Sequence, residues 1–327
     1  MALTDLPLEE LRRYRPEVPE PPDFDGFWAG TLAAARRAGG DPEYRPVAES
    51  PLATVEVFDV RFPGWGGQPV AGWLLLPRGA ERPLPAVITY IGYGGGRGLH
   101  LEHLLWSSAG YAHLVVDSRG QGHDTPDPDP MPQPQLWRGV MTRGIDRPET
   151  YYYRRLMADC VRAVDALRAH PAVDPSRIVV SGASQGGGLA LATAGLSGDA
   201  VAAALIDVPF LCHYRRAAEI ATEGPYPELA EYLGVHRRID PERAFSTLDY
   251  FDGLHFAPRA TAPALFSVAL MDPVCPPSTV FAARNRYAGE AGITVWPFGD
   301  HGGGRASQQE EQLRWLADRS LGGARAG

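Results

Sequence analysis

A serine within a glycine-rich turn is the residue of this chain whose surroundings best suit covalent catalysis. Ser184 lies at the centre of the motif Gly182-Ala183-Ser184-Gln185-Gly186. A β-branched run, residues 177–180, precedes the motif, and an apolar stretch typical of a helix follows it. In a sharp turn from a strand into a helix, the middle residue is strained and its side chain is exposed. The context therefore favours Ser184 as a nucleophile over an ordinary glycine-rich turn.

Candidates for the other catalytic groups follow Ser184 in the chain. A serine hydroxyl needs a base to take its proton, and the base needs a third group to fix its tautomer. After a turn of this kind the acid precedes the histidine in the chain, and both follow late strands of the sheet. Asp272 and His301 meet these conditions. Asp207 and Asp300 are rival acids, although adjacent side chains point apart, so Asp300 is poorly placed to orient His301.

The tetrahedral intermediate of acyl transfer needs backbone N–H donors, which form an oxyanion hole. One donor is expected from Gln185, the residue after the nucleophile, and the other from the glycine-rich segment 91–97, which follows a strand. That segment lacks the lysine ending of a P-loop and the spacing of a dinucleotide site. It is therefore interpreted as an oxyanion loop. Arg119, at the end of another strand, is expected to form a structural ion pair.

Composition and charge bound the class of protein. The 327 residues suffice for one large α/β domain, and a hydrophobic content of 44% supports a sizeable core. The net charge of -8, without a block of like charge, argues against nucleic acid as a partner, because phosphates need clustered cations. No apolar run approaches the length of a membrane span, and no signal peptide is recognised at the N-terminus. A cytoplasmic location is expected.

The cysteines suggest neither a disulfide framework nor a zinc site. There are three, Cys160, Cys212 and Cys275, and their spacing is wide. Cys160 lies on the apolar stripe of a helical pattern and is expected in the core. No metal and no cofactor is predicted.

Hydrophobic periodicity predicts an α/β fold with a mainly parallel sheet. Two helices are expected near the N-terminus, over residues 6–16 and 23–38, followed by an antiparallel strand pair. Short apolar runs then alternate with helical stretches, the clearest of which is 150–169. Such alternation is typical of right-handed βαβ units. The predicted strands are 52–60, 70–76, 86–91, 112–116, 177–180, 203–206, 264–268 and 293–296.

Two segments interrupt this rhythm. Residues 209–259 contain no clear strand but many aromatic residues, and they are interpreted as a helical cap-like insertion beside the active site. The alternative is that they are ordinary helices on the face of the sheet. Residues 123–139 are rich in proline and acidic residues and are interpreted as a rigid surface excursion rather than a metal-binding loop. The chain as a whole, 1–327, is predicted to be one domain with a helical extension over 1–50.

Several motifs together resemble the carbohydrate esterase family 7 enzymes, the acetyl xylan esterases and cephalosporin C deacetylases of the α/β-hydrolase superfamily. Three marks carry the resemblance: Arg119-Gly120-Gln121, the motif around Ser184, and His301. Longer stretches are also similar to the family, and the similarity extends from the N-terminal helices to the last helix. These stretches are 90–93, 141–144, 150–155, 207–213 and 275–281.

The resemblance implies a function and an assembly. It implies Ser184 as nucleophile, His301 as base and Asp272 as its orienting acid, with an oxyanion hole from the backbone amides of Tyr93 and Gln185. It implies removal of small acyl groups, chiefly acetyl, from acetylated xylo-oligosaccharides and cephalosporin-type acetates. It also implies an intracellular homohexamer, a trimer of dimers, whose active sites face an inner cavity. From their positions just past strand ends, Phe210 and Tyr93 are expected to line a small acyl pocket.

Two departures from the family and several rival functions remain open. A glycine, Gly302, follows His301 where the family usually has glutamate, and the stretch 123–139 is shorter than expected. Oligomer size and substrate range are therefore open. The rivals are another small-ester hydrolase (a carboxylesterase or a serine peptidase of this fold), a dienelactone-type hydrolase, which normally uses cysteine as its nucleophile, and a non-catalytic binding protein, which would require a broken triad.

Overall fold

The computed structural model describes residues 3, 5–122, 124–128 and 139–324. Strands and helices alternate through most of this chain, as the apolar runs predict. The strands are β1 Glu43–Pro46, β2 Val55–Pro63, β3 Pro69–Pro77, β4 Leu84–Tyr90, β5 Ala112–Val116, β6 Val173–Ala183, β7 Ala203–Asp207, β8 Ala264–Ala269 and β9 Ala291–Trp296. The helices are α1 Leu8–Leu11, α2 Phe24–Arg37, α3 Leu104–Ser108, α4 Tyr152–Arg168, α5 Gln185–Ser197, α6 Tyr214–Ile220, α7 Pro227–Val235, α8 Pro241–Leu248, α9 Gly253–Phe256, α10 Pro277–Arg286 and α11 Arg305–Asp318.

Nine strands of the described chain form one sheet in the order β1-β2-β3-β5-β4-β6-β7-β8-β9. The first four strands in this order pair antiparallel, and the others pair parallel from β5 through β9. The predicted α/β-hydrolase architecture and the predicted opening hairpin are confirmed. Because parallel strands share one carboxyl edge, the segments after β4, β6, β7, β8 and β9 meet at that edge.

Both faces of the sheet are covered by helices. On one face, α3 and α11 pack over Val87, Val179 and Leu205, together with Trp106 and Leu316. On the other face, the largest apolar cluster joins α2, α4, α5 and α9 to the sheet. Successive side chains of a strand point to opposite faces of the sheet. Because both faces are covered here, nearly every residue of β4 and β7 is apolar. None of the described helices is both long enough and apolar enough to cross a bilayer.

The N-terminal segment differs from its prediction in two respects. The first helix, expected over 6–16, is only α1, because the chain leaves the helix to dock on α10. The amide of Asn285 donates to the carbonyls of Leu11 and Tyr14 at 3.1 and 3.0 Å. The segment 1–50, expected to be helical, also contains the edge strand β1, whose Tyr44 lies opposite Val60.

The segment 209–259 holds four helices, α6 to α9, and no strand. Some of its aromatic side chains pack on α2. The rings of Phe251 and Phe256 lie 5.5 and 5.4 Å from that of Trp28 on α2. One helix of the segment, α7, reaches the carboxyl edge of the sheet, where Glu228 accepts a hydrogen bond from Tyr93.

The proline-rich stretch 123–139 falls largely outside the described residues. The part that is described, 124–128, is fixed by ion pairs. Asp127 is buried and its carboxylate lies 2.9 Å from Arg155 and 3.2 Å from Arg143. Asp124 pairs with Arg97 at 2.7 Å. These carboxylates are therefore engaged by guanidinium groups.

Candidate active site

Ser184 lies on a strained turn between β6 and α5. Its φ of 57° and ψ of -121° fall in a region that non-glycine residues rarely adopt. The turn is held from both sides, because the Ser184 amide donates to the carbonyl of Asp207 at 3.0 Å and the Phe210 amide donates to the Ser184 carbonyl at 2.9 Å. A strained serine presented at the tip of such a turn is the geometry of a nucleophile elbow.

The glycines of the motif allow the close approach that this turn requires. A Cβ on Gly182 would clash with the backbone of Gly186, and a Cβ on Gly186 would clash with the carbonyl of Tyr90. Both positions therefore bring α5 against the strands on which it sits, and larger residues would displace Ser184.

Asp272 and His301 form a carboxylate–imidazole pair at the same edge of the sheet. The Nδ1 of His301 lies 2.8 Å from the Oδ2 of Asp272, which is 4% exposed. The other carboxylate oxygen, Oδ1, accepts from the amides of Val274 and Cys275 at 2.8 and 2.9 Å. A carboxylate facing Nδ1 favours the imidazole tautomer that is protonated at Nδ1, which leaves the lone pair on Nε2.

Ser184 and His301 line one cavity of about 420 Å³. No hydrogen bond joins their side chains in this structure, in which both residues are described. The Ser184 hydroxyl instead lies near the thiol of Cys275, whose pKa it lowers against the larger effect of burial. Nucleophile–base bonds are commonly long without substrate and shorten in the reacting complex.

The two rival acids have other partners. Asp300 accepts from the amide of Gly302 at 2.9 Å and lies 3.6 Å from Arg305. The carboxylate of Asp207 accepts from Ser267 at 2.7 Å and from Gln312 at 2.6 Å. Among the three carboxylates weighed from the sequence, the one that His301 hydrogen-bonds is therefore Asp272.

The two segments expected to form the oxyanion hole are tied together by side-chain amides. Gln121 accepts from the amide of Gly94 at 2.7 Å and donates to the Oε1 of Gln185 at 2.9 Å. Gln185 in turn donates to the carbonyl of Ile91 at 3.1 Å. These bonds fix the spacing between the loop after β4 and the first residue of α5, which carry the backbone donors proposed for the hole.

Tyr93 and Phe210, expected at an acyl pocket, lie against each other. Their rings are 6.1 Å apart, edge to face, and Phe210 is fully buried. Neither residue lines the cavity shared by Ser184 and His301. Burial, assisted by the charge of Glu228, raises the pKa of Tyr93 well above its ordinary value, so the phenol stays protonated and donates to Glu228.

Arg119 forms the buried ion pair expected of it. Its guanidinium lies 2.5 Å from the carboxylate of Asp159, and both side chains are fully buried. Its Nη1 donates to Gln68 at 2.6 Å. The guanidinium group is therefore held by other side chains of the protein, as expected for a structural residue.

Asp272, Cys275 and His301 form a group of potential metal ligands, with one donor atom of each within 4.8 Å of the others. The donors suit an ion poorly, however. Burial raises the pKa of the Cys275 thiol well above its ordinary value, with a further contribution from Asp272, whereas a metal needs the thiolate. The Nδ1 of His301 is also engaged by Asp272.

Three residues near the site were not predicted from the sequence as site residues, and tertiary packing brings them there. Cys275 lies three residues after Asp272, and this short spacing within one turn is a signal that could have identified it. Glu228 and Gln308 lie 44 and 124 residues after Ser184 by their numbers, and no local pattern links them to the nucleophile.

A mainly parallel sheet that carries a strained serine on the turn after a central strand defines an α/β-hydrolase. The chain belongs to the acetyl xylan esterase (AXE1) family of carboxylic ester hydrolases, whose family model matches residues 1–319.

Two solved structures are similar over almost the whole chain. An acetyl xylan esterase from Paenibacillus sp. R4 has 41% identity and a TM-score of 0.90, with 96% of this chain and 99% of that chain covered. Acetyl xylan esterase 1 from Thermoanaerobacterium sp. JW/SL YS485 has 31% identity and a TM-score of 0.89, with 97% and 99% covered.

A curated relative is longer than this chain. The acetyl esterase Axe7A of Xylanibacter ruminicola is 26% identical over 291 residues. The match covers 88% of this chain but 65% of that relative's length.

Proposed function

We propose that this protein is a serine esterase that removes acetyl groups from small esters through an acyl-enzyme intermediate. The observation that carries the proposal is the hydrogen bond between His301 and Asp272 at a cavity that Ser184 also lines, with Ser184 on a strained elbow. The resemblance of the whole chain to acetyl xylan esterases supports the same activity.

In the proposed mechanism, Oγ of Ser184 attacks the acyl carbon while Nε2 of His301 takes the hydroxyl proton. The tetrahedral intermediate collapses and expels the alkoxide, which His301 protonates, leaving acetyl on Ser184. Water then attacks the acetyl carbon, with His301 again as base, and acetate leaves as Ser184 regains its proton. Asp272 keeps the imidazole oriented and stabilises its charged form throughout. The reaction requires no metal or cofactor.

The oxyanion hole is proposed to consist of the backbone amides of Tyr93 and Gln185. The hydrogen bonds of Gln121 with Gly94 and Gln185 support this assignment, since they brace both segments. We also propose that Phe210 and Tyr93 bound the acyl side of the site, because the Phe210 amide is bonded to the Ser184 carbonyl.

Acetylated xylo-oligosaccharides and cephalosporin C-type acetates are the proposed substrates, and a cytoplasmic homohexamer, a trimer of dimers, is the proposed form. The names of the similar structures support xylan acetates. The motifs shared with carbohydrate esterase family 7 support the assembly, the location and the cephalosporin activity.

The esterase proposal is tested by Ser184→Ala. Removing the nucleophile leaves only the oxyanion hole and binding, so kcat for 4-nitrophenyl acetate should fall by at least about 10³-fold. Ser176→Ala is the matched control, because its exposed hydroxyl bonds only Asp174. Equal turnover by Ser184→Ala and the wild type would favour a binding protein. Comparison of kcat/KM for xylose acetates and cephalosporin C then ranks the two substrate classes.

A further inference from the structure

The cavity beside Ser184 and His301 is larger than an acetyl group requires. Its volume of about 420 Å³ lies within the range of roughly 300–1,000 Å³ that is typical of small-molecule sites. The part of the cavity lined by residues of β4, β7, β8 and the start of α11, here called the extension, lies beside the catalytic pair. Polar side chains line this extension: Thr89, Asp207, Ser267, Arg305, Gln308 and Gln309.

Asp207 provides a hydrogen-bond acceptor at the wall of the extension. Its two oxygens accept from Ser267 and Gln312 at 2.7 and 2.6 Å. Burial raises the pKa of Asp207 to about 6, and these hydrogen bonds oppose the rise. The group is therefore a carboxylate at neutral pH, with lone pairs left for a further donor.

Gln308 provides a donor beside it. Its Oε1 accepts from the indole N–H of Trp296 at 3.2 Å, which fixes the orientation of the amide and turns its nitrogen away from Trp296. The side chain is 3% exposed, and its Nε2 makes no hydrogen bond of ordinary geometry with the described residues. The amide of Gln308 also lowers the pKa of Asp207, so the two groups lie next to each other.

An unpaired donor buried next to an acceptor is costly unless a ligand or water satisfies it. A hydroxyl both donates and accepts, so one hydroxyl can donate to Asp207 and accept from Gln308. A simple alkyl or aryl alcohol has no further hydroxyl to offer once its oxygen is esterified.

We infer that this extension is a subsite for a free hydroxyl on the alcohol part of the substrate, with Gln308 as donor and Asp207 as acceptor. The ligand class is a polyhydroxylated alcohol, such as a partly acetylated pentose. The inference rests on the proposed esterase function. The exposed side chains of Arg305 and Gln309 lie at the same cavity and supply further polar contacts for other hydroxyls of the ring.

The test measures the hydrolysis of two esters by the wild-type protein and by Gln308→Met. One ester is 4-nitrophenyl acetate, whose alcohol has no free hydroxyl, and the other is a xylose monoacetate. Loss of one hydrogen bond to the sugar should lower the ratio of kcat/KM, monoacetate over nitrophenyl ester, by about tenfold. Inhibition by free xylose should weaken by a similar factor.

Ser307→Ala is the control. Ser307 precedes Gln308 on α11, is exposed and does not line the cavity. The ratio should stay within about twofold of the wild type in this variant. If Gln308→Met fails to fold, as its melting temperature will show, Gln308→Leu is a second variant of similar volume that lacks the donor.

An unchanged ratio in Gln308→Met would overturn the subsite, as would an equal fall in Ser307→Ala, which would indicate a general structural effect of α11. These outcomes differ from a failure of the esterase proposal. That failure is signalled by Ser184→Ala alone, whatever the substitution at Gln308 does.

Discussion

At the scale of single residues, His301 hydrogen-bonds one carboxylate, that of Asp272, among several that lie nearby in sequence or space. Asp300 is its chain neighbour but turns toward Gly302 and Arg305. Asp272 lies 29 positions before His301 in the chain and accepts a hydrogen bond from its imidazole. Two backbone amides hold the other oxygen of the Asp272 carboxylate. The fixed carboxylate spares the site the cost of orienting it during the reaction.

Asp272→Asn should therefore lower kcat for 4-nitrophenyl acetate by about 10³- to 10⁴-fold, because an amide no longer holds the required tautomer of His301. Asp300→Asn is the control and should retain kcat within about twofold, since Asp300 is partly exposed and its partners are Gly302 and Arg305. Steady-state kinetics of both variants decide the assignment. A loss confined to Asp300→Asn would transfer the role of the acid.

The sequence predicted Ser184, Asp272 and His301 as candidates because the order of catalytic residues in this fold is set by the order of its strands. It could not predict the polar surroundings of the site. Gln308 and Asp207 meet only because α11 folds back over β7, and the position of Glu228 depends on how α7 packs. Such contacts are determined by tertiary packing and leave no periodic signal.

At the scale of secondary-structure elements, Tyr93 links three segments at the oxyanion loop. Its hydroxyl donates to Glu228 on α7 at 2.9 Å and accepts from the amides of Val140 and Met141 at 2.7 and 3.2 Å. A Cβ on Gly139 would clash with this hydroxyl, so the segment passes unusually close. The insertion thus supports the loop that carries a proposed oxyanion donor.

Tyr93→Phe should lower kcat by about ten- to hundredfold with a smaller change in KM, because the loop loses its anchor while the backbone amide remains. Glu228→Ala should share the defect, and Glu228→Gln should largely restore kcat, since an amide oxygen still accepts from the phenol. Tyr44→Phe serves as a control, because its hydroxyl donates to Ala166 away from the site. A rise in KM alone would contradict a role in positioning the loop.

Elements with strong periodicity were predicted well, and short ones were not. The pattern Leu156, Cys160, Val164 and Leu167 identifies α4 because these side chains face the core at helical spacing. In contrast, β1 is a four-residue edge strand. Its own residues show no alternation of buried and exposed positions that would predict its pairing with β2. The early end of α1 likewise depends on Asn285, a residue far along the chain.

At the scale of the whole molecule, a buried carboxylate on α4 connects distant parts of the sheet. Asp159 accepts two hydrogen bonds from Arg119, at the end of β5, and one from the amide of Trp65, in the turn between β2 and β3. Neither Asp159 nor Arg119 is accessible to solvent. Removing one partner of such a pair leaves the other as an uncompensated buried charge.

Asp159→Ala should therefore lower the free energy of unfolding by about 3–5 kcal/mol. Asp165→Ala on the same helix is the comparison, since its pairs with Arg36 and Arg162 are partly exposed and should cost about 0.2–1 kcal/mol each. Urea denaturation followed by circular dichroism measures both values. Similar losses in the two variants would show that burial of the Asp159 pair has no special effect.

The order of the catalytic residues along the chain also bears on biosynthesis. The nucleophile elbow and the proposed acid and base lie at positions 184, 272 and 301, and the residues of α11 that line the cavity, among them Gln308 and Gln309, follow them. Because a ribosome releases the N-terminal part first, a nascent polypeptide can present the elbow long before the imidazole exists. In the proposed mechanism a chain that ends before His301 lacks the base, so hydrolysis of esters would begin only after this residue has been synthesised and packed against Asp272.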